Sequence, residues 1–322
     1  MPQRIVTLLP SATEMVCALG LREYLVGVSH ECDYPPGVER LPHVTSTRIA
    51  HTADSASIDR QVRQELAAKA ALYHVNAALL AKLAPDLLVT QSLCDVCAVA
   101  ADEVEAAACG LPRAPRIFNL QPERLGDILA NLLALGEVAQ ATDAARALHR
   151  DLSARIELVK RRTARISESS RPKVAMLEWL DPLFDAGHWN PELVALAGGI
   201  PVLGRIGQPS MTIDWPTLQA ADSDLLFIAC CGFDRERGMA DVEHFSARAE
   251  WQTLTAVKTG RVWIADGNAY FNRPGPRIVD SLELLAHVLH PSVHPMPDGI
   301  TPAARYGGNV TSQPPSVSNV LQ

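Results

Sequence analysis

Short apolar runs alternate along the chain with segments whose apolar residues recur every three or four positions. The runs at 4–9 (Arg-Ile-Val-Thr-Leu-Leu), 25–29, 86–90, 116–120, 173–178, 224–229 and 261–265 read as strands. Between them the helical period returns. Ser11-Ala-Thr-Glu14 has capping-box spacing and predicts a helix to Leu19, stopped at Gly20. Residues 52–83 read as helix in pieces, with Leu72, Val75, Leu79, Leu80 and Leu83 on one stripe, and 98–108 as an Ala-rich helix. Pro122 opens a helix carrying Leu125, Ile128, Leu129, Leu132, Leu133 and Leu135. A longer one, from Thr142 to Ser167, carries Leu148, Leu152, Ile156, Val159 and Ile166 and turns polar all round near its end, as a segment bridging two bodies would. Later helices fall after Asn190-Pro191, at 216–221, and up to Leu289.

Strands alternating with helices predict an α/β fold with mostly parallel sheets. The layout is two Rossmann-like lobes, 1–141 and 169–290, joined by a single long backbone helix over 142–168, with a ligand cleft between the lobes. Residues 84–94 (Ala-Pro-Asp-Leu-Leu-Val-Thr-Gln-Ser-Leu-Cys) and 222–230 (Asp-Ser-Asp-Leu-Leu-Phe-Ile-Ala-Cys) repeat one grammar: an Asp-Leu-Leu strand with cysteine at its exit. From Pro291 the chain is rich in Pro, Gly, Ser and Asn without periodicity, so 291–322 is predicted as a disordered tail.

Bulk properties narrow the function. Apolar content of 48% and charged content of 20% are those of a globular protein, and a net charge of −7 argues against nucleic acid as a partner. No run approaches the roughly 20 apolar residues of a membrane span. The N-terminus passes straight into a strand pattern without a signal-peptide profile, which predicts a cytoplasmic protein. Seven cysteines, an odd number, fit reduced thiols better than a disulfide framework.

In α/β sheets ligands bind outside the carboxyl ends of the strands. Loops predicted there, at 30–36, 91–97, 178–189, 230–233 and 266–277, gather His30, Glu31, Cys32, Gln91, Cys94, Cys97, Glu178, His188, Cys230, Cys231 and Arg273. They also gather Tyr34, Trp179, Phe184, Trp189, Phe233, Tyr270 and Phe271, although the chain has only five Trp and six Phe. A cleft so lined suits a large planar ligand with a few polar handles. Cys94-x-x-Cys97 allows three readings: small residues shaping a turn, soft ligands for zinc or iron with Cys32 as a third, or redox exchange. Glu31, Asp33, Glu178 and Asp181 could orient histidines or bind ligand amides, or equally cap turns. Cys17 and Cys109 read as core filler, and His43, His51, His74, His149, His244, His287, His290 and His294 as surface residues. There is no Ser-His-Asp set, Walker loop or Gly-x-Gly-x-x-Gly, so hydrolase, phosphoryl and hydride chemistry lose support.

The blocks at 4–20, 25–29, 34–35, 83–90, 197–199 and 257–264 resemble class III substrate-binding proteins, the iron-siderophore and cobalamin binders of ABC importers. The similarity covers roughly 4–290. His30-Glu-Cys-Asp-Tyr-Pro35, Leu93-Cys-Asp-Val-Cys-Ala-Val99 and Gly267-Asn-Ala-Tyr-Phe-Asn-Arg-Pro-Gly-Pro-Arg277 are similar to the cobalamin-binding subfamily. The resemblance implies a monomeric, non-enzymatic binder of a corrinoid or similar chelate that requires no cofactor, has an ABC permease as partner, and resides in the periplasm. It implies two lobes closing slightly on the ligand, with aromatic side chains against the macrocycle and polar groups meeting its amides. The alternatives are a cytoplasmic metal- or thiolate-dependent protein built on the same lobes, and haem or siderophore binding.

Overall fold

The computed structural model describes residues 2, 4–49, 54–68, 72–91 and 101–307. The first lobe contains β1 (Ile5–Thr7), α1 (Pro10–Ala18), β2 (Leu25–Gly27), β3 (Thr45–Thr47), α2 (Ser55–Ala67), β4 (Tyr73–Val75), α3 (Ala77–Leu83), β5 (Leu87–Gln91), α4 (Ala101–Cys109) and β6 (Arg116–Leu120). Its sheet has the order β2-β1-β5-β6, with every neighbouring pair parallel. β1 and β5 are buried along their whole length, which is why they read as unbroken apolar runs.

α5 (Leu125–Val138) and α6 (Thr142–Thr163) follow. The 22 residues of α6 span about 33 Å. The second lobe holds β7 (Lys173–Trp179), β8 (Phe184–Asp185), α7 (Asn190–Leu196), β9 (Ile200–Pro201), α8 (Trp215–Ala220), β10 (Leu225–Ile228), α9 (Arg235–Phe245), α10 (Thr255–Lys258), β11 (Val262–Ile264), α11 (Ile278–Leu289) and β12 (Ala304–Arg305). β7, β10 and β11 are parallel neighbours; β8 and β12 join antiparallel at the flanks, and β9 pairs parallel with the start of β7.

One apolar core crosses the lobe boundary. It runs from Ile5, Leu9 and Val89 through Ile128, Leu132, Leu152 and Ile156 to Phe227, Leu282 and Leu285. α11 packs on both α6 and α7, and Arg155 of α6 fixes it by pairing with Asp280 at 2.5 Å and Glu283 at 2.7 Å. A separate core, around Leu177, Leu226, Phe233 and Trp251, fills the other face of the second sheet.

Several expectations change. Leu9 is the N-cap of α1 and Pro10 its first residue, so Ser11 lies inside the helix and makes no cap. The stripe expected over 72–83 is broken: Tyr73–Val75 is a strand paired antiparallel with Thr45–Thr47, and Asn76 then caps α3 by accepting from the Leu79 N–H at 3.0 Å. A side-chain acceptor placed after a strand starts the helix afresh. The stretch 291–307 is ordered, against the expected tail. Met296, Ile300 and Ala303 pack on the core, and Ala304–Arg305 extends the sheet beside β11. These scattered apolar residues lack a period because each is used singly.

Candidate functional site

The parallel strands of both sheets deliver their carboxyl ends into loops that carry the predicted residues. Three ties join the lobes around these loops.

The first tie is ionic. Glu14, 3% exposed on α1, accepts from Arg277 Nε at 2.9 Å and Nη2 at 2.6 Å. Arg273, 8% exposed in the loop after β11, pairs with Asp33 at 2.5 and 3.1 Å and reaches Glu14 at 3.5 Å. Its Nη2 also donates to Asn268 Oδ1 at 2.8 Å and to the Glu31 carbonyl at 3.4 Å. Asn268 Nδ2 donates to Asp33 at 2.8 Å, closing a ring of polar groups across the boundary. Arg273 holds the Asp33 carboxyl below the ordinary aspartate range against the opposing effect of burial. Arg277 lies 4.0 Å over the Tyr34 ring. Gly275 lets this loop approach: a Cβ there would stand 3.3 Å from Glu14 Oε2.

The second tie lies by α5. The Leu125 N–H, at the first turn, donates to Glu192 Oε2 of α7 at 3.1 Å. A Cβ on Gly207 would meet Arg124 Nε at 2.8 Å. The third tie is α2. Its N–H at Ser55 donates to buried Asp241 of α9 at 3.3 Å, and Ile58 packs on the second-lobe core. α2 leaves the first lobe between the strands of the β3–β4 ribbon, so a first-lobe excursion docks on the second lobe.

Within this frame the predicted residues fall into two groups. His30, Glu31, Tyr34, Glu178, Trp179, Phe184 and His188 keep partial or full exposure. Thr45 Oγ1 donates to Ser29 and accepts from the His30 backbone N–H, so its 2.7 Å contact with His30 Nδ1 places the ring proton on that nitrogen. Burial raises the Glu31 carboxyl, with Arg273 opposing. Trp179 meets buried Phe233 edge-on at 5.1 Å, and Arg237 covers the Phe233 ring at 3.7 Å.

The other group turns inward. Phe233, Phe271, Trp189, Tyr270, Cys32 and Cys230 are core residues, at most 7% exposed. The indole of Trp189 donates to the Phe271 carbonyl at 2.7 Å. Phe271 and Phe227 form an edge-on pair at 5.0 Å. These aromatics support the loops and do not line them. Arg273 is likewise an interlobe tie. Gln91 ends β5 only 5% exposed, and among the described residues its Oε1 accepts no hydrogen bond.

Cys32 was the third metal ligand expected. Cys32 Sγ sits 3.0 Å from Thr13 Oγ1, and burial pushes its thiol up to about 12. Cys94 and Cys97 lie outside the described residues. Among the described residues no three His, Cys, Asp or Glu side chains converge to hold a metal ion. Cys109 is exposed, not core filler, and His294 is 2% exposed, not a surface residue. Sequence reasoning missed Glu14 and Arg277 as a pair. The available signal was a carboxylate in an otherwise uncharged helix, with two arginines four residues apart elsewhere.

Two hollows lie away from these loops. One, about 420 Å³, is lined by Asp86, Leu87, Arg113 and Arg116 at the strand starts of the first sheet. The other, about 250 Å³, lies between α8 and the start of α10. Neither is at the edge where α/β sheets bind ligands. Among the described residues no helix is long and apolar enough to cross a membrane.

Comparison with known proteins agrees with this architecture. The chain is 22% identical over 289 residues to the vitamin B12-binding protein of Vibrio cholerae serotype O1, covering 87% of each chain. The crystal structure of the periplasmic vitamin B12 binding protein of Vibrio cholerae superposes with a TM-score of 0.65 at 21% identity, over 89% of this chain and 96% of that one. A periplasmic heme binding protein from Pseudomonas aeruginosa superposes with a TM-score of 0.73 at 20% identity, over 96% and 100%. These relatives are named as binding proteins, and the periplasmic titles of the two solved structures give the cytoplasmic expectation no support. The family model described as "Periplasmic binding protein" matches residues 5–269, and the chain belongs to that family.

Proposed function

We propose that this protein binds a planar metal chelate of the corrinoid class between the facing strand ends of its two lobes, as the substrate-binding component of an ABC importer. The observation that carries this reading is the partly exposed Trp179 at the end of β7, braced edge-on by Phe233, in a chain whose relatives are named for vitamin B12. A braced indole offers a flat apolar face to a macrocycle at little entropic cost. Glu31, Glu178 and His30, which belong to the same set of loops, supply groups able to meet peripheral amides. The periplasm is the proposed location, with an importer permease as partner.

The higher TM-score against a heme binding protein favours haem as the second reading. Absorbance titration with cyanocobalamin, cobinamide and hemin separates the two. The corrinoid reading requires spectral change and thermal stabilisation with a corrinoid, and displacement of hemin by it. Hemin binding that corrinoids do not displace supports the second reading. Indifference to all three overturns both.

A further inference from the structure

The end of α6 gathers cations that the surrounding chain leaves unanswered. Residues 160–173 hold Lys160, Arg161, Arg162, Arg165, Arg171 and Lys173 against Glu168 alone, in a chain whose net charge is −7. Arginines elsewhere meet carboxylates: Arg48 with Glu65, Arg63 with Asp59, Arg155 with Asp280 and Glu283, and Arg248 with Asp181. Among the described residues none of the six cations at this end makes an ion pair. Arg171 Nε is buried and has no hydrogen-bond partner among them either.

Lys160, Arg161 and Arg162 lie in the last turn of α6, where cations complement the helix dipole. That reason does not reach the others. Arg165 stands in the turn after the helix, Arg171 follows the short turn Glu168–Ser170, and Lys173 opens β7. Lys160, Arg161, Arg165 and Lys173 are exposed, and Arg162 and Arg171 are half-buried. Two aliphatic side chains stand exposed beside them. Leu158 precedes Arg161 by three residues on the outer face of α6, and Ile200 of β9 is the register partner of Lys173; they are 37% and 44% exposed.

This pole stands where the strands of the second lobe begin. β7 runs from it for seven residues, about 20 Å, to Trp179 at the candidate cleft, so an occupant of the pole leaves the cleft free. Neither hollow of the protein is lined by any of the six cations, and Asp224 beside them accepts from the Lys173 backbone N–H at 2.7 Å. Cations spread on long side chains, with single aliphatic groups between them, suit a flat anionic headgroup layer. Each Lys or Arg there adds to the attraction, and the apolar tips reach the acyl boundary. We propose that this pole of the second lobe docks on the surface of an anionic phospholipid bilayer and holds the protein there with its cleft open. The attachment is electrostatic and reversible, and it does not depend on the chelate reading above.

The test sediments the full chain, without ligand, with vesicles of phosphatidylglycerol and phosphatidylcholine in equal parts, and with vesicles of phosphatidylcholine alone. At low ionic strength the protein should sediment with the anionic vesicles only. Salt at about 0.5 M, which screens exposed charges beyond a few ångströms, should release it. The triple variant Arg161→Glu, Arg165→Glu, Lys173→Glu changes exposed positions without ion pairs, so its thermal midpoint should move by only a few degrees. It should bind anionic vesicles about 10-fold to 100-fold more weakly. A control triple of exposed cations elsewhere, Arg40→Glu, Arg60→Glu, Lys258→Glu, should change binding by less than about 2-fold. Absence of sedimentation with anionic vesicles, equal weakening in the two triple variants, or capture by duplex DNA in preference to vesicles at the same salt overturns the proposal.

Discussion

Glu14 of the first lobe holds the guanidinium of Arg277 of the second by two hydrogen bonds, at 2.9 and 2.6 Å, with the carboxylate almost wholly shut off from water. Arg273 approaches the same carboxylate at 3.5 Å, so one buried anion faces two cations. Removing one member of a buried set leaves the rest uncompensated, which costs about 3–5 kcal/mol. Glu14→Ala should lower the urea unfolding free energy by that order. Combining Glu14→Gln with Arg277→Gln should recover part of the loss. Additive losses in the double mutant would show that the pair is not coupled.

Trp179 should matter to the ligand more than to the fold. Trp179→Leu keeps an apolar side chain on Phe233 and removes the flat face. Aromatic stacking is worth about 0.5–1.5 kcal/mol, so corrinoid affinity should fall by about 2-fold to 10-fold. Calorimetric titration of the variant measures it, and the thermal midpoint should move by only a few degrees.

His294 makes stability depend on acid. Burial, reinforced by Arg162, His290 and His287, depresses its pKa from 6.5 to about 4. Thr163 Oγ1 donates to the Leu196 carbonyl, so in its contact with His294 the ring donates through Nε2–H. The unfolded chain takes up a proton below pH 6.5 that the native state refuses until about pH 4. Stability from this group is complete above the upper value and lost as pH falls through that window, up to about 2–3 kcal/mol. His294→Gln should flatten the curve of unfolding free energy against pH between these limits.

Thiol reactivity should follow burial. Cys109 and Cys231 are exposed, whereas Cys32 and Cys230 are buried with their pKa values pushed up, Cys32 to about 12. A maleimide in neutral buffer should label the first two quickly and the second two only after denaturation, as read by peptide mass spectrometry. Fast labelling of Cys32 in the native protein would contradict its packing against Thr13.

Strands buried on both faces were legible because their apolar runs are continuous, as at Leu87–Val89 and Leu225–Ile228. The two-lobe plan followed from their alternation with helices. The β3–β4 ribbon was not legible, since Thr-Ser-Thr and Tyr-His-Val are short and half exposed and the second merges with the apolar stripe of α3. Glu14 illustrates the same limit at the site. Its spacing from Ser11 suits a cap, but the partner it uses is 263 residues away. Residue type marked the loops that carry chemistry; it did not say which side chains would turn inward. Trp189, Phe271 and Cys32 do so because large apolar groups and uncharged thiols gain more from the core than from the loop surface.

The core that crosses the lobe boundary bears on the order in which the protein is made. Ile128, Leu132, Leu152 and Ile156 are made more than a hundred residues before Leu282 and Leu285 of α11, yet share one core with them. Arg155 waits for Asp280 and Glu283 as well. The amino-terminal half therefore cannot bury this face alone, and its exposed apolar side chains stay without their partners until α11 has been made.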